Sequence, residues 1–431
     1  MNSLKNTGIE WIPYVKPEWK IGKVKDLFYV SKELATKKNP IILSLARSAI
    51  RIRDISNNEG QLAANYDNYN TVQIGDLLLN PMDLYSGANC NVSYVEGVIS
   101  PAYSNLRAKT CLEPRYFDFY FKIQYWTMAM FAHGKGVSFD NRWTLNNDAL
   151  LNYEIPIPSY QEQKKIVEKL DYKITLIDKL ITNQEKQIVI LNEYKQSTIT
   201  KAVSKGLRND DTLKETNIVW IGKIPERWET IKIKYTSWLK GRIGWDGLTS
   251  SEFVDEGPYL ITGTDFFNGE INWNTCVHIS EERFQEDELL HIKENDLLIT
   301  KDGTIGKLAI ATKCPEKVSL NSGVMIIRNT GEFKYLDKYL YYVLQSNQFN
   351  LWYELSQSGN STIRHLYQGQ FYNFEFTYPS LDEQKEIAYY LDRKCSDIDA
   401  LINMRNSKID KLNEYKKSLI YEYVTGKKQV L

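Results

Sequence analysis

The side chains in this chain best suited to chemistry are cations and amides in five clusters, four of them set beside glycines. "LARSAIRIRD" carries Arg47, Arg51 and Arg53, and "HGKGVSFDNRW" carries Lys135, Asn141 and Arg142. Further on, "WLKGRIGWDG" carries Lys240 and Arg242, "TKDGTIGK" carries Lys301, Thr304 and Lys307, and "SGNSTIRHL" carries Asn360, Thr362 and Arg364. Arg and Lys match guanine edges, Asn and Gln match adenine, and all of them reach phosphates, so the set fits recognition of DNA. A neighbouring glycine lets backbone approach a phosphate closely. Arg142 and Arg364 stand 16 and 15 residues before Pro158 and Pro379, which suggests matching places in two related segments. Each cluster also has a plain structural reading. "IRIRD" alternates as a solvated strand does, and "DGTIGK" is a tight turn between two strands. By the same reasoning His365 is a hydrogen-bonded surface residue, and "YFDFYF" and "YLDKYLYYVL" are helix cores.

Catalytic motifs fail one by one. A P-loop needs G-x-x-x-x-G-K-[ST], and "KDGTIGKL" has Lys301 at the first glycine and Leu308 at the hydroxyl position. "NPMD" at Asn80 is the nearest string to an amino-methyltransferase tetrad, and Met82 and Asp83 do not suit it. "GRIGWDG" is not a dinucleotide fingerprint. The five cysteines (Cys90, Cys111, Cys276, Cys314, Cys395) show no CxxC spacing, and the four histidines never fall on one helix face, which argues against zinc and disulfide frameworks. No bound metal or cofactor is expected in this chain.

The elements that must position the cations come from a chain of 431 residues, enough for several cores. The 54 basic residues are balanced by 54 acidic ones, so any surface for a polyanion must be local. No run of about 18 apolar residues occurs, and the first thirty residues hold no apolar signal core. The expectation is a soluble, cytoplasmic protein with reduced thiols and no membrane partner.

Internal duplication sets the architecture. At an offset of 221, Pro158 matches Pro379, Glu162-Gln163-Lys164 matches Glu383-Gln384-Lys385, and Asn192-Glu193-Tyr194-Lys195 matches Asn413-Glu414-Tyr415-Lys416. Upstream, at an offset of 209, Trp11, Trp19, Lys23 and Lys25 fall on Trp220, Trp228, Lys232 and Lys234. The order is head, variable body, long helix, twice, and the second body is about a dozen residues longer. Between head and helix the bodies share only scraps such as "GDLLL" at Gly75 and "NDLLI" at Asn295.

Both long segments carry a 4,3 apolar spacing. It runs Leu170, Ile174, Ile177, Ile181, Gln184, Ile188, Leu191 in the first and Leu391, Cys395, Ile398, Ile402, Arg405, Ile409, Leu412 in the second. That is the 3.5-residue period of a coiled-coil seam, with Gln184 and Arg405 as register-setting polar steps. Pro158-Ser159 and Pro379-Ser380 open the helices, Glu162 and Glu383 complete capping boxes, and Gly206 and Gly426 close them. Helices so long need a partner, and antiparallel pairing of the two copies would hold two different bodies at a set separation.

This order, with "P-S-x-x-E-Q-K" opening a helix that ends in "LNEYK" twice over, resembles the specificity subunit of a type I restriction-modification system. The resemblance covers nearly the whole chain, including the "WIGKIPERWE" head and the "TKDGTIGK" turn; the first body has "NPMDLYSG" (Asn80 to Gly87) in place of that turn. It implies an α+β fold: two α/β target-recognition domains, 1–156 and 209–377, separated by two long antiparallel helices, 157–208 and 378–431, forming a coiled coil with a pseudo-two-fold repeat. It further implies a non-catalytic subunit that binds a bipartite, asymmetric site in double-stranded DNA and docks two adenine methyltransferase subunits, with restriction/translocase subunits in the larger assembly. AdoMet, ATP and Mg²⁺ would then belong to the partner subunits. A rival reading is a coiled-coil scaffold whose bodies bind proteins, and a third is a chain that cuts or methylates DNA by itself. The missing motifs weigh against the third.

Overall fold

Proline and serine fix where the two long helices begin. The computed structural model describes residues 4–35, 40–54, 66–82, 84, 90–136, 143–242, 248–330, 333–357 and 364–429. In it the helices run Tyr160–Lys205 and Leu381–Val424. At 46 and 44 residues each is roughly 65 to 70 Å long. Ser159 Oγ accepts the Glu162 amide at 3.3 Å, and Ser380 Oγ accepts the Glu383 amide at 3.4 Å. Gly206 (φ +73°) and Gly426 (φ +74°) end them in the left-handed conformation that a side chain would resist.

The serine half of each capping box forms, but the glutamate half does not. Glu162 Oε2 accepts the Trp19 indole N–H at 2.8 Å, and Glu383 Oε2 accepts that of Trp228 at 2.9 Å. The reason is competition: a buried indole N–H needs an acceptor, whereas the cap amide is already at the surface. A cation completes each site, Lys16 on Glu162 and Arg227 on Glu383.

The chain folds into two compact units, Met1–Gln184 with Asn406–Leu431, and Glu185–Arg405. Each unit thus takes the opening half of one long helix and the closing half of the other, so these divisions cut across the body and spacer segments read from the sequence. In the first unit Trp19, bonded to Glu162 in the first turn of its helix, would lie 3.2 Å from a side chain at Gly426, while Asp178 pairs with Lys416 at 2.7 Å. As one helix advances the other recedes, so the two halves are antiparallel. In the second unit Trp228 relates Glu383 to Gly206 in the same way, and Asp399 pairs with Lys195 at 2.7 Å. The two ion pairs are repeat equivalents, each residue 221 positions from its counterpart.

The 4,3 spacing marks the covered face. Leu170, Ile177 and Gln184 are buried and Ile174, Ile181, Ile188 and Leu191 half-buried, while Tyr172, Leu176 and Leu180 between them are exposed. Leu391, Cys395 and Ile398 are buried, and Ile402, Arg405, Ile409 and Leu412 half-buried. The next step in each copy is a lysine, Lys195 or Lys416, whose ammonium reaches the facing aspartate.

Both bodies hang on one sheet order. The first unit has a four-stranded antiparallel sheet in the order Phe28–Val30, Ser104–Ala108, Leu77–Leu79, Cys90–Val92. The second repeats it with Ser237–Gly241, Val324–Asn329, Leu297–Thr300 and Leu308–Ile310, then adds Glu270–Ile271 and Phe266–Phe267 at the edge. The head strand of each unit pairs with the strand that leads into its long helix: Lys20–Lys23 with Glu154–Ile157, and Glu229–Lys232 with Glu375–Tyr378. The tyrosine-rich runs are helix cores. Tyr116 to Phe121 are buried within Pro114–Trp126, and Tyr339, Leu340, Tyr342, Val343 and Leu344 within Asp337–Gln345. Tyr116 Oη donates to the Val424 carbonyl at 2.9 Å, and Tyr339 Oη to the Thr377 carbonyl at 3.1 Å.

The shared scraps of sequence acquire a reason. Asp76 of "GDLLL" is buried and takes both Nε and Nη2 of Arg107 on the neighbouring strand, at 3.0 and 2.9 Å. Asp296 of "NDLLI" is buried and takes the same two nitrogens of Arg328. Each aspartate also accepts a turn amide three residues upstream, from Gln73 at 2.9 Å and Lys293 at 2.7 Å. Before each stands a residue of positive φ, Gly75 or Asn295. The offset is 209 at the head tryptophans and 220 at this aspartate, so the extra residues of the second body lie between its first strand and this turn.

Candidate nucleic-acid interface

At the end of the strand that follows the buried aspartate, both units make the same stitch. In the first, the Leu145 amide donates to the Pro81 carbonyl at 2.9 Å; in the second, the Leu366 amide donates to the Lys301 carbonyl at 2.9 Å. Leu145 and Leu366 are 221 residues apart and both buried. The stitch joins two loops: the one that leaves Leu77–Leu79 or Leu297–Thr300, and the one that approaches the long helix. This register sets Arg364 opposite Trp143, so Arg142 and Arg364 are one residue out of step rather than matched.

In the second unit the loop is a hairpin turn, as its sequence suggests. Leu297–Thr300 and Leu308–Ile310 pair antiparallel, and Gly303 (φ +66°) and Gly306 (φ +83°) make the reversal. Thr300 Oγ1 receives the Lys307 amide at 2.9 Å and closes the turn. Thr304 and Lys307 are exposed on it. Across the stitch, His365 Nδ1 hydrogen-bonds the Asp302 carboxylate, the Tyr367 ring lies 4.4 Å from the His365 ring, and Arg364 pairs with Glu354 at 2.7 Å.

Two of the expected DNA-contact residues are corrected. Arg242 is buried, donating through Nε to the Leu320 carbonyl at 3.1 Å and through Nη2 to Ser319 Oγ at 3.3 Å. Lys301 is buried, with Nζ on the Arg242 carbonyl at 3.1 Å, and burial holds its ammonium below the ordinary lysine value. These two side chains bind the loop ends to each other, so their donors are used internally. Lys240 is half-buried and pairs with Asp287 at 2.9 Å.

The first unit presents a different set of groups on the same frame. "IRIRD" forms the strand Ile50–Ile52, paired with Leu43–Leu45, and Arg47 is exposed in the turn where the Ala46 amide meets the Ala49 carbonyl. Arg51 is exposed with Nη2 at 3.4 Å from Ser48 Oγ, and Arg53 is half-buried. That turn is tied to the strand leaving the stitched loop, since Asn91 Nδ2 donates to the Ala46 carbonyl at 2.8 Å. Lys135 is exposed, and its backbone pairs with Thr144 at 2.8 and 3.0 Å next to the stitch. Asn141, Arg142, Asn360 and Thr362 lie outside the described residues.

The sequence reading missed the aspartate-arginine brace and the Asp302–His365 pair. Recurrence of "DLL" beside a positive-φ residue was the available signal for the first; nothing in the local pattern signals the second. Among the described residues no group of three or more His, Cys, Asp or Glu side chains could hold a metal, and no helix is long and apolar enough to cross a membrane.

The family model described as the type I restriction modification DNA specificity domain matches residues 16–189 and 243–423. The specificity subunit of the type I restriction enzyme MjaVIII from Methanocaldococcus jannaschii is 25% identical over 371 residues, 83% of this chain and 80% of that protein. The specificity subunit of the type I restriction enzyme EcoBI from Escherichia coli is 24% identical over 409 residues, 92% of this chain and 82% of that protein. A chain solved in work on complex assembly and conformational transition of the type I R-M system is alike in fold, with a TM-score of 0.69 at 15% identity, covering 96% of this chain and 99% of that one. With both halves matched and the frame repeated in each unit, the chain belongs to the family of type I restriction-modification DNA specificity proteins.

Proposed function

We propose that this chain selects DNA sequence for a type I restriction-modification complex, each unit reading one half of a bipartite, asymmetric site. The observation that carries it is one backbone frame built twice, with the same aspartate-arginine brace and the same stitch, that presents different side chains at the same place. Arg47, Arg51 and Lys135 are the first unit's candidate contacts, and Thr304, Lys307 and Arg364 the second's. Neutral net charge confines attraction for phosphate to these loops. Two adenine methyltransferase subunits dock on the long helices and bring the chemistry, AdoMet included. A restriction/translocase subunit, when it joins, brings ATP and Mg²⁺. The target adenine is extruded from the stack into the modification subunit's site. The rival scaffold reading gains no support from any of the relatives.

The test is a gel shift of the complex with its modification subunits on genomic fragments that carry the motif methylated in the host, at two stated salt concentrations. Specific binding that weakens steeply with salt is expected; salt-insensitive binding, or none, contradicts the reading. The helices act as the ruler in this scheme. Inserting about seven residues, one heptad, into each should change the tolerated gap and leave the half-site bases alone, and altered bases would show that helix length does not set the spacing.

A further inference from the structure

Resting on that reading, we infer that His365 reads a base edge in the half-site of the second unit, with Asp302 as its positioning residue. The stitch makes the position comparable between units. One residue past the carbonyl that accepts the stitch stands Met82 in the first unit and Asp302 in the second. One residue before the amide that donates it stands Thr144 in the first and His365 in the second. The frame is held constant, and the side chains it offers there are exchanged for unrelated ones. Thr144 turns its hydroxyl to its own strand partner, the Lys135 carbonyl at 3.3 Å. His365 and Asp302 bond to each other.

That bond decides the chemistry. A carboxylate only accepts, so Nδ1 of His365 carries the proton, and in the neutral ring Nε2 is left as an acceptor. Among the described residues the ring makes one hydrogen bond, through Nδ1, and none through Nε2. The ring is held by Asp302 and by the Tyr367 ring at 4.4 Å, and the backbone that carries it is fixed by the Leu366 amide on the Lys301 carbonyl and by Gln357 Nε2 on the His365 carbonyl at 3.3 Å. A fixed acceptor suits a base edge better than a phosphate, which would demand a donor. In the major groove the groups that donate are the exocyclic amines, N6 of adenine and N4 of cytosine. The structure therefore assigns His365 a preference for adenine or cytosine at one position, worth roughly tenfold in discrimination.

Two substitutions separate reading from clamping. His365→Asn places an amide N–H near the old Nδ1, keeping the bond to Asp302 while deleting Nε2. His365→Gln does the reverse, retaining a group near Nε2 and giving up the clamp. The readout is the methylated motif in genomic DNA from cells expressing the full chain with its modification subunit. His365→Asn is expected to relax one position of the second unit's half-site while the first half-site and the gap stay fixed; His365→Gln keeps the preference but weakens methylation overall. An unchanged motif in His365→Asn, or loss of discrimination across both half-sites, overturns the assignment. If the unsubstituted chain directs no split motif at all, the functional reading fails instead, and the two failures are told apart by that control.

Discussion

In the first unit Pro81 gives its carbonyl to Leu145, and Met82 follows; in the second Lys301 gives its carbonyl to Leu366, and Asp302 follows. Around that point the units agree nearly bond for bond, through Trp19 and Trp228, Asp76 and Asp296, Arg107 and Arg328, and the two long helices. At the stitched loops themselves the side chains are unrelated. The contrast separates two kinds of constraint. Buried polar groups need partners of fixed geometry, so they tolerate little change. Loop tips fixed at their bases by such groups are free to vary, and variation there alters what is recognised without touching the fold.

The comparison can be broken most forcefully at the tryptophans. Trp19→Ala and Trp228→Ala each remove a fully buried indole and strand a glutamate beside a cation, and each should cost about 5 kcal/mol. Denaturant unfolding followed by circular dichroism checks this, and a large loss in one unit only would show that the shared frame is not shared in energy. The braces sharpen it further. Asp296→Ala should cost about 4 kcal/mol, because it leaves a largely buried guanidinium with, among the described residues, only the His291 carbonyl and the Trp238 face. Asp76→Ala should cost less, about 3 kcal/mol, since Arg107 keeps Glu33 at 3.0 Å. The reverse order in the same unfolding experiment would contradict the assignment of Glu33 as a second partner.

The smallest effect depends on pH. The second unit opens its body helix with Asp337 where the first has Pro114. Burial, with Asp296 nearby, pushes the Asp337 carboxyl up to about 6 from 3.8. A raised carboxyl favours the fold while protonated, so its contribution is complete below about pH 4 and is lost as pH rises through about 6. Asp337→Asn should therefore stabilise the protein by about 1 kcal/mol at pH 7, after allowance for solvent screening, and by nothing at pH 4. Equal effects at both values would rule out the titration. The first unit has Pro114 there and no carboxyl to titrate at that position.

Much of the frame is legible in sequence because it rests on periodic or punctuated patterns. The proline-serine starts, the glycine stops and the 4,3 spacing each encode local geometry, and they place both long helices to within a residue or two. The division into units is not legible in this way, because which halves of the helices share a core is a property of long-range packing. Exposure of the candidate DNA-contact residues is legible only in part. Arg47, Lys135, Thr304 and Lys307 are exposed as their setting suggests, whereas Arg242 and Lys301 have the same local signature and are buried. A cation beside a glycine reads alike whether its donors meet solvent or a neighbouring strand's carbonyls, and only the tertiary partners Leu320 and Ser319 decide. The Asp302–His365 pair spans 63 residues and leaves no local trace.

The most direct measurement exchanges one reader for the other on the common frame. Residues 237–366 of the second unit, put in place of 28–145 of the first, begin and end at equivalent points of the shared sheet and stitch. The methylated motif from cells expressing that chain with its modification subunit should consist of two copies of the half-site now read by the second unit. Methylation that retains the original asymmetric motif, or that matches neither half-site, would contradict the claim that each unit reads its own half through loops on one repeated frame.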